Sequence, residues 1–149
     1  MSKNNRRKPQ EEVWFTAEGE EEGKPLVFRG RQNAPPGVVE SDYPMLVSIF
    51  WHYEPANESG MPDNETNEAQ IELEDALDAL DSPGISFLML VVTGNGRKEW
   101  HWYVSDVDTW MAKLKESLAG RAAFPIEIEN SHEPDWALYH SFISGVDGI

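Results

Sequence analysis

The sequence predicts one α+β domain: an antiparallel sheet carrying two helices on one face, with an N-terminal β-hairpin and a short C-terminal helix. Three observations carry that prediction. Ile85 to Val104 consists of two β-rich runs around Asn95-Gly96, the dipeptide that best tolerates the positive φ angles of a two-residue type I′ turn. Two stretches, about Glu65 to Leu80 and Ser105 to Leu118, place apolar residues at helical spacing. Two others, Tyr43 to Glu54 and Phe124 to Glu129, alternate with the period of two expected of half-buried strands.

Composition sets the outer bounds. A chain of 149 residues, 40% hydrophobic and with six tryptophans, is long enough for a sizeable core. We expect a disordered basic tail over 1–10 and a single domain over 11–149, with its core unit at 43–129. There is no cysteine, hence no disulfide, no thiolate nucleophile and no Cys-based metal site. The basic start is followed by no apolar segment, so no secretory signal is read there. No run approaches the roughly 20 apolar residues of a membrane span, and the expected compartment is a bacterial-type cytoplasm. Four of the 12 basic residues (Lys3, Arg6, Arg7, Lys8) lie in the first ten positions, so the other eight face all 27 acids, a balance of −19. Such a surface repels nucleic acid and anionic membranes and favours cationic partners.

In chain order, Val13 to Ala17 and Pro25 to Arg31 predict the N-terminal hairpin, joined by a Gly- and Glu-rich turn over Glu18 to Lys24. Asn33 to Asp42, with Pro35-Pro36-Gly37, is a loop. The strand from Tyr43 to Glu54 puts Met45, Val47, Ile49, Trp51 and Tyr53 on one face and Leu46, Ser48, Phe50 and His52 on the other. After a polar loop the first helix carries Ala69, Leu73, Ala76, Leu77 and Leu80 inward, and Asp81-Ser82-Pro83-Gly84 ends it. The turn sets the register of the central hairpin, pairing Thr93 with Lys98, Val91 with Trp100, Met89 with Trp102 and Phe87 with Val104 on the apolar face. The other face pairs Val92 with Glu99, Leu90 with His101 and Leu88 with Tyr103. A one-residue slip would bury Glu99 and His101, so this register is expected to be firm. Ser105 with Asp108 resembles a capping box opening the second helix, whose stripe is Val107, Trp110, Met111, Leu114 and Leu118, with Gly120 as its stop. Pro134 opens the last helix, with Trp136, Tyr139 and Ile143 on one side. From Tyr43 the order is β-α-β-β-α-β, the split βαβ arrangement of ferredoxin-like folds.

Several groups in this order resemble the bacterial family catalogued as domain of unknown function 695. They are Gly60-Met61-Pro62, Glu74-Asp75, Thr93-Gly94-Asn95-Gly96-Arg97, Trp102-Tyr103 and the closing Glu133-Pro134-Asp135-Trp136 with Tyr139. The resemblance runs from about Val13 to Phe142. It implies no established activity. Some members of that family are similar to, or fused with, domains resembling the regulator of ribonuclease E activity of type B, which implies by analogy a regulatory binding role. The family's closing pattern is acid-Asp-Pro-acid-Trp, so Glu-Pro-Asp-Trp here shifts which acid caps the helix.

Two candidate sites follow. The first is the acidic segment from Glu54 to Asp81, which holds ten acids and no Lys or Arg. Within it Glu65, Glu68, Glu72 and Asp75 form one helical stripe, suited to a basic protein surface. The second is the sheet face away from the helices, where His52, Glu99, His101, Tyr103 and Glu127 could serve a metal-dependent hydrolase. Ordinary sheets alternate in this way too, and no spacing there matches a metal signature such as His-Glu-x-x-His. Glu74-Asp75 do not make a catalytic pair, because adjacent helical residues point about 100° apart. We therefore expect a non-enzymatic adaptor or regulator, with no catalytic residue, metal or cofactor. The open face would be covered by the chain itself, making a monomer, the alternative being a dimer.

Overall fold

The computed structural model describes residues 14–145. The expected tail over 1–10 lies outside them. Six strands form one antiparallel sheet: β1 (Trp14–Glu21), β2 (Lys24–Arg31), β3 (Met45–His52), β4 (Ser86–Gly94), β5 (Arg97–Val104) and β6 (Ile126–His132). Their order across the sheet is β1-β2-β4-β5-β3-β6. Three α-helices complete the described residues: α1 (Asn64–Ala76), α2 (Val107–Leu118) and α3 (Ala137–Ser144).

The β1–β2 turn is shorter than its composition suggests. Glu22 and Gly23, at φ 53° and 79°, make a two-residue turn, so residues 18–21 and 24 stay in the ladder. The central hairpin turns at Asn95-Gly96 as expected, with φ 52° and 81°. Its register holds from Gly94↔Arg97 to Leu90↔His101 and then slips at a bulge between Leu88 and Leu90. Beyond it Leu88 stands opposite Trp102 and Phe87 opposite Tyr103, not Met89 opposite Trp102 and Phe87 opposite Val104. One extra residue on one strand exchanges the faces of everything past it. Leu88 thus joins the helix-side core, while Phe87 and Met89 turn to the other side.

The helix-side core gathers Val47, Ile49, Trp51, Leu73, Leu77, Trp100, Trp102, Trp110 and Leu114, each at most 5% exposed. The first helix stops earlier than its apolar spacing implies: α1 ends at Ala76, and Asp78–Leu80 is a separate 3₁₀ turn that still buries Leu80. In α2 the cap is Asp106, whose carboxylate accepts from Thr109 N–H, one residue later than the Ser105 box. Ser105 instead donates to Gly84 and Ile85 carbonyls. Phe124 precedes β6 and packs on Trp51 at 5.8 Å.

The second face is covered from within the chain. Trp136, Tyr139 and Leu138 from the α3 region, with Ala34 and Val38 from the loop after β2, pack on Leu46, Phe87, Met89 and Tyr103. A smaller cluster of Leu26, Leu90 and Val92 is closed by Phe28 and Phe142.

Candidate functional site

Asp63 sets the phase of α1. Its carboxylate accepts from Thr66 N–H at 2.8 Å, which holds its pKa below the ordinary value. The helix therefore starts at Asn64 and turns Gln70 and Leu73 inward. Glu65, Glu68, Glu72 and Asp75 all lie exposed on the outer side. Ile71, 50% exposed, stands among them. The stripe has one cation near it that the local sequence could not supply: Arg121, beyond α2, places Nη1 3.5 Å from Glu72 Oε2. Such an exposed pair contributes about 0–1 kcal/mol.

The second sheet face brings only part of the expected set together. His101 Nε2–H donates to Glu99 Oε1 at 2.9 Å, and Ser48 Oγ–H, at 2.8 Å, donates to Nδ1. A carboxylate can only accept, which assigns the tautomer. Arg97 donates to the other oxygen of Glu99 and reaches both oxygens of Glu21 on β1. Arg97 and Asn95 hold Glu21 down to about 2. Burial works to raise Glu99, but the bonds from His101 and Arg97 outweigh it and its pKa falls. The row Ser48, His101, Glu99 has the residue types of a hydrolase relay. Ser48 and His101 are only 7% and 6% exposed, however, and the hydroxyl sits mid-strand, where the neighbouring backbone is committed to the ladder. The row satisfies the polar groups of Ser48 and His101 that the sheet buries.

The other three members stand apart. His52 is exposed at the end of β3, Glu127 is exposed opposite Phe50, and Tyr103 is fully buried. Tyr103 donates to Glu133 Oε1, accepts from Tyr139 N–H and stacks on Trp136 at 4.5 Å. Among the described residues no group of three or more His, Asp or Glu side chains is placed to hold a metal ion.

A third place went unread in the sequence. Between the β1–β2 hairpin and α1 the helix side carries a cleft of about 230 Å³. Trp14 and Arg29 form one wall, Glu74, Asp78 and Asp81 the other, and Trp102 lies between. Arg29 Nη2 donates to both oxygens of Glu74 at 2.7 and 2.9 Å, and Trp100 Nε1–H donates to Oε1. Burial would raise Glu74; Arg29 and Trp100 overcome it and hold the carboxyl below its usual value. Asp81 differs. Burial raises its pKa despite two contacts from Arg31 at 3.1 and 3.2 Å, and nearby Asp78 adds to the rise. The Trp102 indole N–H, in a side chain 1% exposed, has no partner among the described residues. A buried donor left unmade costs about 1–3 kcal/mol. The available signal was Arg29 and Arg31 two apart on a strand, which puts both on the face toward the helices.

Residues 12–144 match the family of unknown function DUF695. The chain belongs to DUF695. No curated protein matches it. The groups that carry the resemblance to DUF695 hold the fold together. Gly60, at φ 80°, lies against the Asn95 backbone, where an added Cβ would come within 2.8 Å, and its carbonyl accepts from Gly96 N–H and the Tyr53 hydroxyl. Only glycine fits that approach. Glu74 ties α1 to β2 and β5. In the closing motif Glu133 is the capping acid, accepting from Leu138 N–H as well as from Tyr103, while Trp136 Nε1–H donates to the Tyr43 carbonyl.

Proposed function

We propose that this DUF695 chain is a non-enzymatic adaptor or regulator that binds a basic protein surface through the outer face of α1. The observation that carries the reading is the exposure of Glu65, Glu68, Glu72 and Asp75 on one side of one helix, with Arg121 the single cation bonded to them among the described residues. Like charges at i, i+3 and i+4 cost a helix about 0.2–0.5 kcal/mol per pair, and packing of α1 does not require them. The exposed Ile71 gives a partner an apolar centre within the charged rim. The analogy with the regulator of ribonuclease E activity of type B points the same way, toward a partner whose basic patch otherwise meets nucleic acid.

The proposal includes a finer fold assignment, a ferredoxin-like unit over 43–129. Its support is the inner strand run β4-β5-β3-β6, in which α1 and α2 each link strands separated by one neighbour. The β1–β2 hairpin is then an addition at the β4 edge. It also includes a monomer in the cytoplasm: the second face is covered by α3, and no described helix is long and apolar enough to cross a membrane. The test compares capture from lysate by wild type and by the Glu68→Lys, Glu72→Lys, Asp75→Lys triple variant. A basic partner retained by wild type and released by the variant is expected. Equal recovery of the same proteins at the same salt makes the stripe a solvated face.

A further inference from the structure

The sheet ends in β1 on one side and β6 on the other, and β1 borders a groove. β1 pairs with β2 through eight consecutive residues, Trp14↔Arg31 to Glu21↔Lys24, with no bulge and no proline. The two-residue turn fixes which backbone groups that pairing uses. Glu21 and Lys24 close the hairpin as a hydrogen-bonded pair, so Phe15, Ala17 and Gly19 also bond to β2. Thr16, Glu18 and Glu20 then turn their N–H and C=O groups outward. All three residues are exposed, and among the described residues no strand pairs with them on that side. A regular edge of this kind accepts a further strand unless something blunts it. The acids on β1 blunt it against acidic strands and not against basic ones.

The two faces of this edge ask for different side chains. On the second face a groove of about 510 Å³ lies beside β1, lined by Ala17, Gly19, Phe28 and Phe142. A Cβ on Gly19 would come within 2.7 Å of Phe28 Cε2, so the glycine gives the Phe28 ring its place, 4.7 Å from the Phe142 ring. On the helix side Thr16, Glu18 and Glu20 follow Trp14 at a spacing of two, and β1 has no Lys or Arg. The nearby cations are taken: Arg29 and Arg31 are bonded to Glu74 and Asp81, and Lys24 donates to the Glu58 carbonyl. In an antiparallel addition, residues directly opposite share a face. Incoming residues that bond to Thr16, Glu18 and Glu20 therefore set their side chains beside the acids, and those between them point into the groove.

We propose that the β1 edge takes up, as a seventh strand, an extended segment of a partner protein in which basic residues alternate with apolar ones. The basic side chains meet Glu18 and Glu20, the apolar ones fill the groove at Phe28 and Phe142, and main-chain bonds to Thr16, Glu18 and Glu20 hold the segment. A second copy of this chain is the poorer occupant, since it brings its own Glu18 and Glu20 and a net charge of −15. The edge shares no residue with the outer face of α1, so this inference and the adaptor reading through Glu65, Glu68, Glu72 and Asp75 can fail separately.

The probe is a capped peptide of about eight residues alternating Lys and Val, long enough to span β1. It is titrated into the full chain and followed by calorimetry and by amide hydrogen exchange. In the free chain the Thr16, Glu18 and Glu20 amides should exchange as unbonded groups, and with saturating peptide each should slow at least about tenfold. A peptide alternating Glu and Val should bind at least about tenfold more weakly, and so should the Lys-Val peptide N-methylated at its lysines, which keeps the charge and loses the donors. The Glu18→Lys, Glu20→Lys double variant, at exposed positions, should weaken binding by a similar factor with the melting temperature retained. The proposal is overturned if the three amides are already protected in the free chain, if the peptide does not bind or leaves them unprotected, if either control peptide binds as tightly, or if the double variant leaves the affinity unchanged.

Discussion

The two faces of the sheet are sealed by different means. The helix side is closed by two amphipathic helices laid on a mainly apolar surface, and four of its tryptophans (Trp51, Trp100, Trp102, Trp110) are at most 5% exposed. The other side is closed by a loop and one eight-residue helix, and it keeps a polar row that is buried at Ser48 and His101 and reaches the surface at Glu21. The first face rests mainly on dispersion and apolar burial, which tolerate volume-conserving swaps of side chains. The second rests on hydrogen bonds and one aromatic stack that need each atom in its place. On the second face Ser48, Glu99, His101 and Tyr103 are therefore bonded into the structure that holds it together, while His52 and Glu127 lie exposed. The acidic stripe, by contrast, lies exposed on the outside of α1.

The comparison breaks most visibly at the large side chains. Trp110→Ala and Trp136→Ala should each cost about 3–5 kcal/mol in denaturant unfolding, since both are fully buried, one on each face. A cost below about 1 kcal/mol for Trp136→Ala would mean that α3 does not seal the second face. Next is Glu74→Ala, which strands Arg29 and the Trp100 N–H. A buried pair broken on one side costs about 3–5 kcal/mol, and with the Glu74 side chain 28% exposed we expect about 2 kcal/mol. Ser48→Ala should cost about 1–2 kcal/mol by leaving His101 Nδ1 without a donor. Glu99→Gln should shift the pH dependence as well. Glu99 and Glu74 both titrate below their ordinary value, so the unfolded chain takes up protons first as pH falls. The stability that these carboxylates contribute is complete above about pH 4.3 and is lost as pH falls through the folded values. Melts between pH 7 and pH 3 should show a shallower acid loss in Glu99→Gln than in wild type.

How far the sequence could be read follows the same division. Periodicity alone located every strand and helix of the helix side, because an apolar stripe has only one way to face a core. The Asn95-Gly96 turn and the register near it were legible for the same reason. The bulge at Leu88–Leu90 was not, since Phe87, Leu88 and Met89 are all apolar and either face accepts them. On the second face Arg97, Glu99 and His101 follow one another at a spacing of two on β5, whereas Ser48 beside His101 and Glu21 beside Arg97 depend on how the strands are brought together. The cleft was invisible because it needs the width of the sheet: Trp14, Arg29 and Asp81 are brought together only when the β1–β2 hairpin pairs with β4. The acidic stripe was wholly legible, being a local pattern on one helix, but Arg121 beside Glu72 was not.

The smallest expected effect concerns the stripe itself. Glu68→Gln removes like-charge contacts with Glu65 and Glu72 and should raise stability by about 0.2–0.5 kcal/mol per pair. A surface kept at a cost in stability is one that acts elsewhere, and that is the central claim. It is tested most directly by the association rate of the captured basic partner with wild type and with the Glu68→Lys, Glu72→Lys, Asp75→Lys variant, followed from about 0.05 to 0.5 M salt. Exposed charges are screened within about 10 Å at 0.1 M, so the wild-type rate should fall at least about tenfold across that range. The variant should start slow and change little. A wild-type rate indifferent to salt, or a variant as fast as wild type at low salt, would contradict the account.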